Sequence, residues 1–110
     1  GKAEKAFNTE GPAFLNILSP CPPGWGHNPS LTIEIAKTAV NTNFWPLYEV
    51  ENGKYKISYA NPSPLPIEEF LKSQSRFKHL FKPQNKYLLE KIQKQINEKW
   101  QDLQNRSKEM

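Results

Sequence analysis

The most regular pattern in the sequence is a stripe of apolar positions near the C-terminus. It repeats in steps of three or four residues, which are the spacings of one face of an α-helix. The stripe consists of Leu88/Leu89, Ile92, Ile96, Trp100 and Leu103. We therefore predict a helix from about Asn85 to Arg106 that packs this face against another surface.

A shorter and denser apolar run, AFLNIL, lies near the N-terminus at residues 13–18. A continuous run of this length, bounded by turn-forming residues, is typical of a buried strand. The preceding residues 2–8 have the character of the end of a helix, which the turn-prone residues 8–12 close. We expect the strand to lie in the core of an α/β structure.

A second helix is predicted to begin at Asn28-Pro29-Ser30. Asparagine is a favoured helix cap, and proline suits the first turn because its missing N–H is not needed there. The apolar face of this helix is broad enough to pack against a sheet. It includes Leu31, Ile35 and Ala39, with Ile33, Ala36 and Val40 in a second row.

Two neighbouring patterns follow the second helix. The dipeptide Asn52-Gly53 favours the tight turn of a β-hairpin, and we predict that hairpin over residues 45–59. Residues 61–66 carry three prolines at alternate positions and are typical of a stiff, extended connector. A short helix with acidic residues in its first turn is then predicted from Pro66 to about Gln74.

The single cysteine lies in the segment LSPCPPGWG, residues 18–26. Its three prolines fix the backbone, so we expect a stiff loop that neither continues the strand nor begins a helix at once. Loops at the carboxyl ends of strands carry the chemistry of many α/β enzymes. Cys21 is therefore the main candidate for a functional residue.

The residues alone leave the role of Cys21 open. Free cysteines are often simply buried. A nucleophilic thiol needs a base such as His27 within hydrogen-bond reach, and an iron–sulfur cluster needs several thiolates. His27 itself is expected to be a polar loop residue, His79 a surface or packing residue, and Trp25 a packing residue.

Composition limits the remaining possibilities. The chain has 110 residues, which is enough for one domain. Its net charge is +4. One cysteine allows no internal disulfide, and neither a signal peptide nor a membrane-length apolar stretch is apparent, so we expect a soluble cytoplasmic protein. Residues 1–71 carry five lysines against seven glutamates, whereas the remaining residues carry ten basic side chains against four acidic ones. A basic tail of this kind more often forms a solvated helix face than a nucleic-acid reader.

Several motifs, in this order, resemble one known family. Residues 18–26 (LSPCPPGWG), 32–37 (TIEIAK), 44–49 (FWPLYE) and 66–71 (PIEEFL) closely resemble the β subunit of pyruvate:ferredoxin oxidoreductase, or pyruvate synthase. Further along, Gln74, Arg76-Phe77 and Lys82-Pro83 also fit. The match covers nearly the whole chain and corresponds to the C-terminal third of that subunit.

The resemblance implies an α/β fold: the C-terminal part of a thiamine-diphosphate-binding α/β/α fold, with a β-hairpin and a long C-terminal helix. Residues 1–61 would be the end of the thiamine-binding domain, and residues 62–110 the proline-rich connector and helical extension. In this family the β subunit binds thiamine diphosphate, Mg²⁺ and a [4Fe–4S] cluster. Cys21 matches the fourth cluster cysteine and would be an iron ligand, with no catalytic residue in this segment.

The resemblance also implies a reaction and partners. Pyruvate and coenzyme A are converted reversibly to acetyl-CoA and CO₂, and clusters pass the electrons to ferredoxin, within a complex of several subunits. Neither nucleic acid nor a membrane is expected as a partner. The other three cluster cysteines and the motif that holds Mg²⁺ and diphosphate are absent from this sequence, so we expect the isolated segment to be inactive.

Two alternatives remain. The apolar stripe from Leu88 to Leu103 would suit a non-catalytic interaction module that packs against another chain. The same motifs would also suit the β subunit of an oxidoreductase for another 2-oxoacid.

Overall fold

The computed structural model describes residues 1–108, which form helices around one two-stranded hairpin. The α-helices are α1 (Lys2–Phe7), α2 (Pro22–Trp25), α3 (Thr32–Asn41), α4 (Glu68–Leu71) and α5 (Lys86–Lys108). The strands are β1 (Tyr48–Glu51) and β2 (Lys54–Ile57). Three 3₁₀ helices link these elements: Pro29–Leu31, Ser75–Phe81 and Pro83–Asn85. An α/β composition with a hairpin and a long C-terminal helix is thus confirmed.

The core lies where α3, α4 and α5 meet. Its buried members come from these three helices, from the residue just before α4 and from the 3₁₀ helix Ser75–Phe81. They are Ile35, Ala39, Ile67, Phe70, Leu71, Leu80, Leu89 and Ile96. Phe70 is fully buried, and its ring stacks on that of Phe44 with 4.6 Å between centroids. The segment before α4 is also tied to α5, because the backbone N–H of Ile67 donates to Gln93 Oε1 at 2.7 Å.

Helix α5 confirms the prediction from the apolar stripe. It buries Leu89, Ile96 and Leu103, one residue in every seven, and packs on β2 and on the 3₁₀ helix Ser75–Phe81. The other stripe residues are partly buried. Among the residues described, no helix is both long enough and apolar enough to cross a membrane.

The hairpin is confirmed, although its strands are shorter than predicted. Asn52 and Gly53 have φ angles of +53° and +76°, as a two-residue hairpin turn requires, and Tyr48 pairs with Ile57 at the open end. Before β1, the N–H of Trp45 donates to Ala39 O at 3.0 Å. The N–H of Trp45 is therefore used by α3, and Pro46 has no N–H to donate. The hydrogen-bonded pairing of the two strands cannot extend through these two residues.

The predicted strand at residues 13–18 is wrong for the chain as described. Within residues 1–108 the segment pairs with no strand, and Phe14 and Ile17 are 88% and 72% exposed. Only Leu18 packs against the core. The physical reason is that a strand forms only beside another strand, and the described hairpin offers none at this place.

The predicted N-terminal helix is confirmed as α1, which buries no residue. It is held to the hairpin by polar contacts: Lys2 Nζ donates to Tyr48 O at 3.0 Å, and Lys5 Nζ lies 2.9 Å from Glu49 Oε2. The hydrogen bond from Lys5 lowers the pKa of Glu49 below its usual value and raises that of Lys5.

We expect the Lys5–Glu49 contact, one of the two that attach α1 to the hairpin, to be lost in acid. A carboxylate whose pKa is lowered in the folded state contributes above its ordinary pKa, and the contribution disappears as the pH falls through the lowered value. The replacement Glu49→Gln removes the charge of this side chain at every pH. The amide-exchange protection of α1 in this variant at neutral pH should therefore fall to the level that the parent shows in acid. Glu34→Gln, on α3, is the control, because Glu34 affects the pKa of neither Lys5 nor Glu49. Equal protection in both variants and the parent would contradict this attachment.

Candidate functional site

Cys21 lies directly in front of the one-turn helix α2. We call residues 21–26 the Cys21 turn. The N–H of Trp25 donates to Cys21 O at 2.8 Å, and the N–H groups of Gly26 and His27 both donate to Pro22 O, at 2.9 and 3.1 Å. The prediction that no helix would begin here was wrong. Proline at the first helical positions is favourable, because it has the required φ and no donor is wanted there.

The thiol of Cys21 is exposed and is not part of a disulfide. Gly24 leaves space beside it: a Cβ built on Gly24 would come within 3.3 Å of Cys21 Sγ. The simple packing role considered for Cys21 therefore does not hold in the described chain. A thiol on an exposed residue, with no side chain on the glycine beside it, is open to a metal or to another reactant.

Gly26 closes the turn against the 3₁₀ helix Ser75–Phe81. Its φ of +72° is left-handed, which side chains other than glycine rarely adopt. A Cβ at this position would overlap Ser75 Oγ, and Gly26 O accepts a hydrogen bond from Ser75 N at 2.9 Å. The turn is therefore held both by its own hydrogen bonds and by a close backbone contact.

Trp25 connects the Cys21 turn to the core and to the side chain of Arg76. Its ring packs on that of Phe70 in a T-shaped arrangement, with 6.2 Å between centroids. On the same ring lies the guanidinium of Arg76, whose Cζ is 4.1 Å from the centroid. The expectation that Trp25 is a packing residue agrees with these contacts.

His27 is buried, whereas the sequence suggested an ordinary polar loop residue. It contacts Trp25 edge-on, with 6.2 Å between centroids, and its Nδ1 is 3.0 Å from Asn28 O. Its Nε2 has no hydrogen-bond partner among the described residues. Across the same residues no hydrogen bond joins His27 to Cys21, so the nucleophile–base pair is not formed. His79 is exposed, as expected of a surface residue.

The described residues 1–108 contain no group of three histidine, cysteine or acidic side chains that is able to hold a metal ion. Cys21 can supply one thiolate, which is one quarter of the ligand set of a [4Fe–4S] cluster. The exposed sulfur and the space at Gly24 fit that partial role. The structure offers no comparable fit for Mg²⁺ or a diphosphate within the same residues.

Sequence comparison places these features in context. No family model matches the chain. The pyruvate synthase subunit PorB of Methanocaldococcus jannaschii is 46% identical over 98 residues, which make up 89% of this chain and 32% of that protein. PorB of Thermotoga maritima is 44% identical over 93% of this chain. The ketoisovalerate oxidoreductase subunit VorB of Pyrococcus abyssi is 48% identical over 93% of this chain and 32% of its own length.

These relatives define a class, namely subunits of enzymes named for a 2-oxoacid. The chain is homologous to a segment of such subunits, and the resemblance carried by motifs such as LSPCPPGWG is confirmed. More particularly, the matching subunits are PorB and VorB. The chain spans about one third of the length of the curated relatives it matches.

The residues that hold the Cys21 turn against the rest of the fold were not predicted from the sequence. Gly26 was noted only as part of a motif, and Ser75 was not singled out at all. Arg76 was noted for the resemblance but was given no role. The available signal was the pair of glycines around Trp25, because a glycine beside a large side chain often marks a close backbone approach.

We expect Gly26→Ala to destabilise the fold by about 2–4 kcal/mol, since it adds a left-handed backbone penalty to a steric overlap with Ser75. Gly11→Ala is the matched control: Gly11 also has a positive φ, +89°, but a Cβ there meets nothing within 4 Å. Chemical denaturation of both variants separates the penalty of the left-handed backbone from the cost of the steric overlap with Ser75. A Gly26 variant no less stable than the Gly11 variant would show that the close contact does not matter.

Proposed function

We propose that this chain is the C-terminal third of the β subunit of a pyruvate:ferredoxin oxidoreductase. The complete complex would convert pyruvate and coenzyme A reversibly to acetyl-CoA and CO₂ and pass electrons to ferredoxin. The observation that carries the proposal is the similarity to PorB subunits over about nine-tenths of the chain, with Cys21 in an ordered turn. Because the chain spans one third of those subunits, catalysis would need the remainder and the other subunits.

Cys21 is proposed as one ligand of a [4Fe–4S] cluster. Three observations support this: the sulfur is exposed, Gly24 leaves space beside it, and the turn is braced by Gly26 and Trp25. When bound, such a cluster supplies one-electron transfer. This chain's own contribution would be to present a thiolate from a turn that hydrogen bonds and the contact at Gly26 hold in place, since supporting groups around a metal site fix the orientation of its ligands.

Thiamine diphosphate and Mg²⁺ would be held by the rest of the subunit. The reacting 2-oxoacid would also meet residues outside this chain, so no catalytic residue is assigned here. What this segment adds to the reaction is one cluster ligand and the surfaces that pack against the remaining fold.

The unpaired residues 13–18 support a place in a larger thiamine-binding α/β/α fold. Phe14, Leu15 and Ile17 are exposed, and in an extended segment Phe14 lies on one face and Leu15 and Ile17 on the other, so both faces carry apolar side chains. Strands that are apolar on both faces belong in the middle of sheets covered on both sides. We propose that the missing neighbours are strands of the same subunit, and that this segment leads from them to Cys21.

We expect Cys21→Ala to remove one cluster from the assembled oxidoreductase, which is a loss of about four iron atoms per β subunit. Cys21→Ser tests whether an oxygen ligand retains part of the cluster with a changed spectrum. Ser19→Ala, in the same loop, is the control. Iron content and the electron paramagnetic resonance of the reduced complex provide the measurement, and an unchanged cluster in both cysteine variants would remove the ligand role.

The substrate is a second question, because PorB and VorB relatives match equally well. We expect the complex to reduce ferredoxin faster with pyruvate than with 2-ketoisovalerate at equal concentration, in the presence of coenzyme A. The ratio of kcat/KM for the two acids is the measurement. A ratio that favours the branched acid would replace pyruvate synthase by ketoisovalerate oxidoreductase, whereas no turnover of either acid would favour a non-catalytic interaction module.

A further inference from the structure

Arg76 makes the least expected contacts near the Cys21 turn. Its Cζ lies 4.1 Å from the ring centroid of Trp25 and 4.5 Å from that of Phe77. Both distances are well inside the range of about 6 Å at which a cation over an aromatic face is attracted to it. The guanidinium therefore joins a ring of the Cys21 turn to a ring of the 3₁₀ helix Ser75–Phe81.

Gln74 fixes the guanidinium in this position. Gln74 is 2% exposed, and its Nε2 donates to Phe70 O at 2.7 Å, which orients the amide. The amide oxygen, Oε1, then accepts a hydrogen bond from Arg76 Nε at 2.8 Å. Arg76 is thus held from the core of the protein by a buried amide, although the residue itself reaches the surface.

Trp25 passes this constraint on to Cys21. The backbone N–H of Trp25 donates to Cys21 O at 2.8 Å, and the indole ring packs on Phe70 in a T-shaped arrangement. If the indole ring shifts, the single turn of α2 shifts with it, because a one-turn helix has few hydrogen bonds of its own. Cys21 is the residue immediately before that turn.

Arginine is suited to this task in a way that lysine is not. A planar guanidinium can stack on an aromatic face while its N–H groups donate in the plane, whereas an ammonium is a compact and strongly hydrated point charge. Partial burial lowers the pKa of Arg76 below its usual value, yet arginine remains protonated in proteins. The contact is therefore cationic at any pH at which the enzyme would work.

We propose that Arg76 is a positioning residue for Cys21: stacked on Trp25 and held by Gln74, it keeps the thiolate in the orientation that iron requires. This inference rests on the proposed function, in which Cys21 is a cluster ligand. Arg76 acts through Trp25 and touches neither the iron nor a substrate. Its role is to limit how far the ligand moves when the cluster gains or loses an electron.

The test uses the assembled oxidoreductase with Arg76→Lys and Arg76→Gln. We expect both variants to release iron to a chelator about tenfold faster than the parent, since loss of an outer partner of a metal ligand typically costs 10- to 100-fold in affinity or activity. The spectrum of the reduced cluster, recorded by electron paramagnetic resonance, should change in the same way in both. Lysine should not restore the parent behaviour, because it keeps the charge but loses the planar stack.

Arg106→Lys is the matched control. Arg106 also lies over a ring, with Cζ 5.6 Å from the centroid of Tyr55, and donates to the Tyr55 hydroxyl at 3.3 Å. It belongs to α5 and its ring partner to β2, so we expect parent rates of iron loss. The thermal midpoints of all three variants are measured alongside, to show that the comparison is made between folded proteins.

The outcomes are distinguishable. Parent rates and spectra in both Arg76 variants would overturn the positioning role while leaving the cluster assignment intact, provided that Cys21→Ala still loses iron. If Arg76→Lys behaves as the parent and only Arg76→Gln is changed, charge and not stacking is what matters, and the proposal is wrong. If Cys21→Ala keeps its cluster, the proposed function itself has failed.

Discussion

The burial of Phe70 is the interaction on which the rest of this structure depends. Phe70 is fully buried at the junction of α3, α4 and α5, and its ring stacks on Phe44. On another side its ring meets Trp25, and its carbonyl orients Gln74. The same residue therefore stabilises the core, contacts Trp25 of the Cys21 turn and orients the amide that binds Arg76. A ring of this size in a close-packed interior allows little movement of its neighbours.

Local signals in the sequence were sufficient for α1, α3, α4, α5 and the hairpin, but not for α2. The stripe that led to α5 and the Asn52-Gly53 turn each depend on residues close together in the chain, so periodicity and turn chemistry reveal them. Residues 13–18 show the limit of such reasoning. Their apolar pattern predicted a buried strand, but a strand needs a hydrogen-bonded neighbour, and none lies beside them in residues 1–108.

The candidate site was predictable only in part. Cys21 stood out because it is the one cysteine and has prolines around it, yet the start of α2 directly after it was not foreseen. The bracing by Gly26, Ser75 and Arg76 joins segments about fifty residues apart. Such contacts depend on how the chain returns on itself, which spacing along the sequence cannot reveal. The buried position of His27 was missed for the same reason.

The braced turn gives a single thiol a physical purpose. A lone cysteine cannot hold a cluster, but a thiol on a braced turn can complete one whose other ligands belong to a larger fold. The most direct test is a crystal structure of the assembled oxidoreductase with the iron located by anomalous scattering. We predict an iron atom within bonding distance of Cys21 Sγ. A β-subunit cluster with four other ligands, and Cys21 Sγ remote from every iron, would contradict the account.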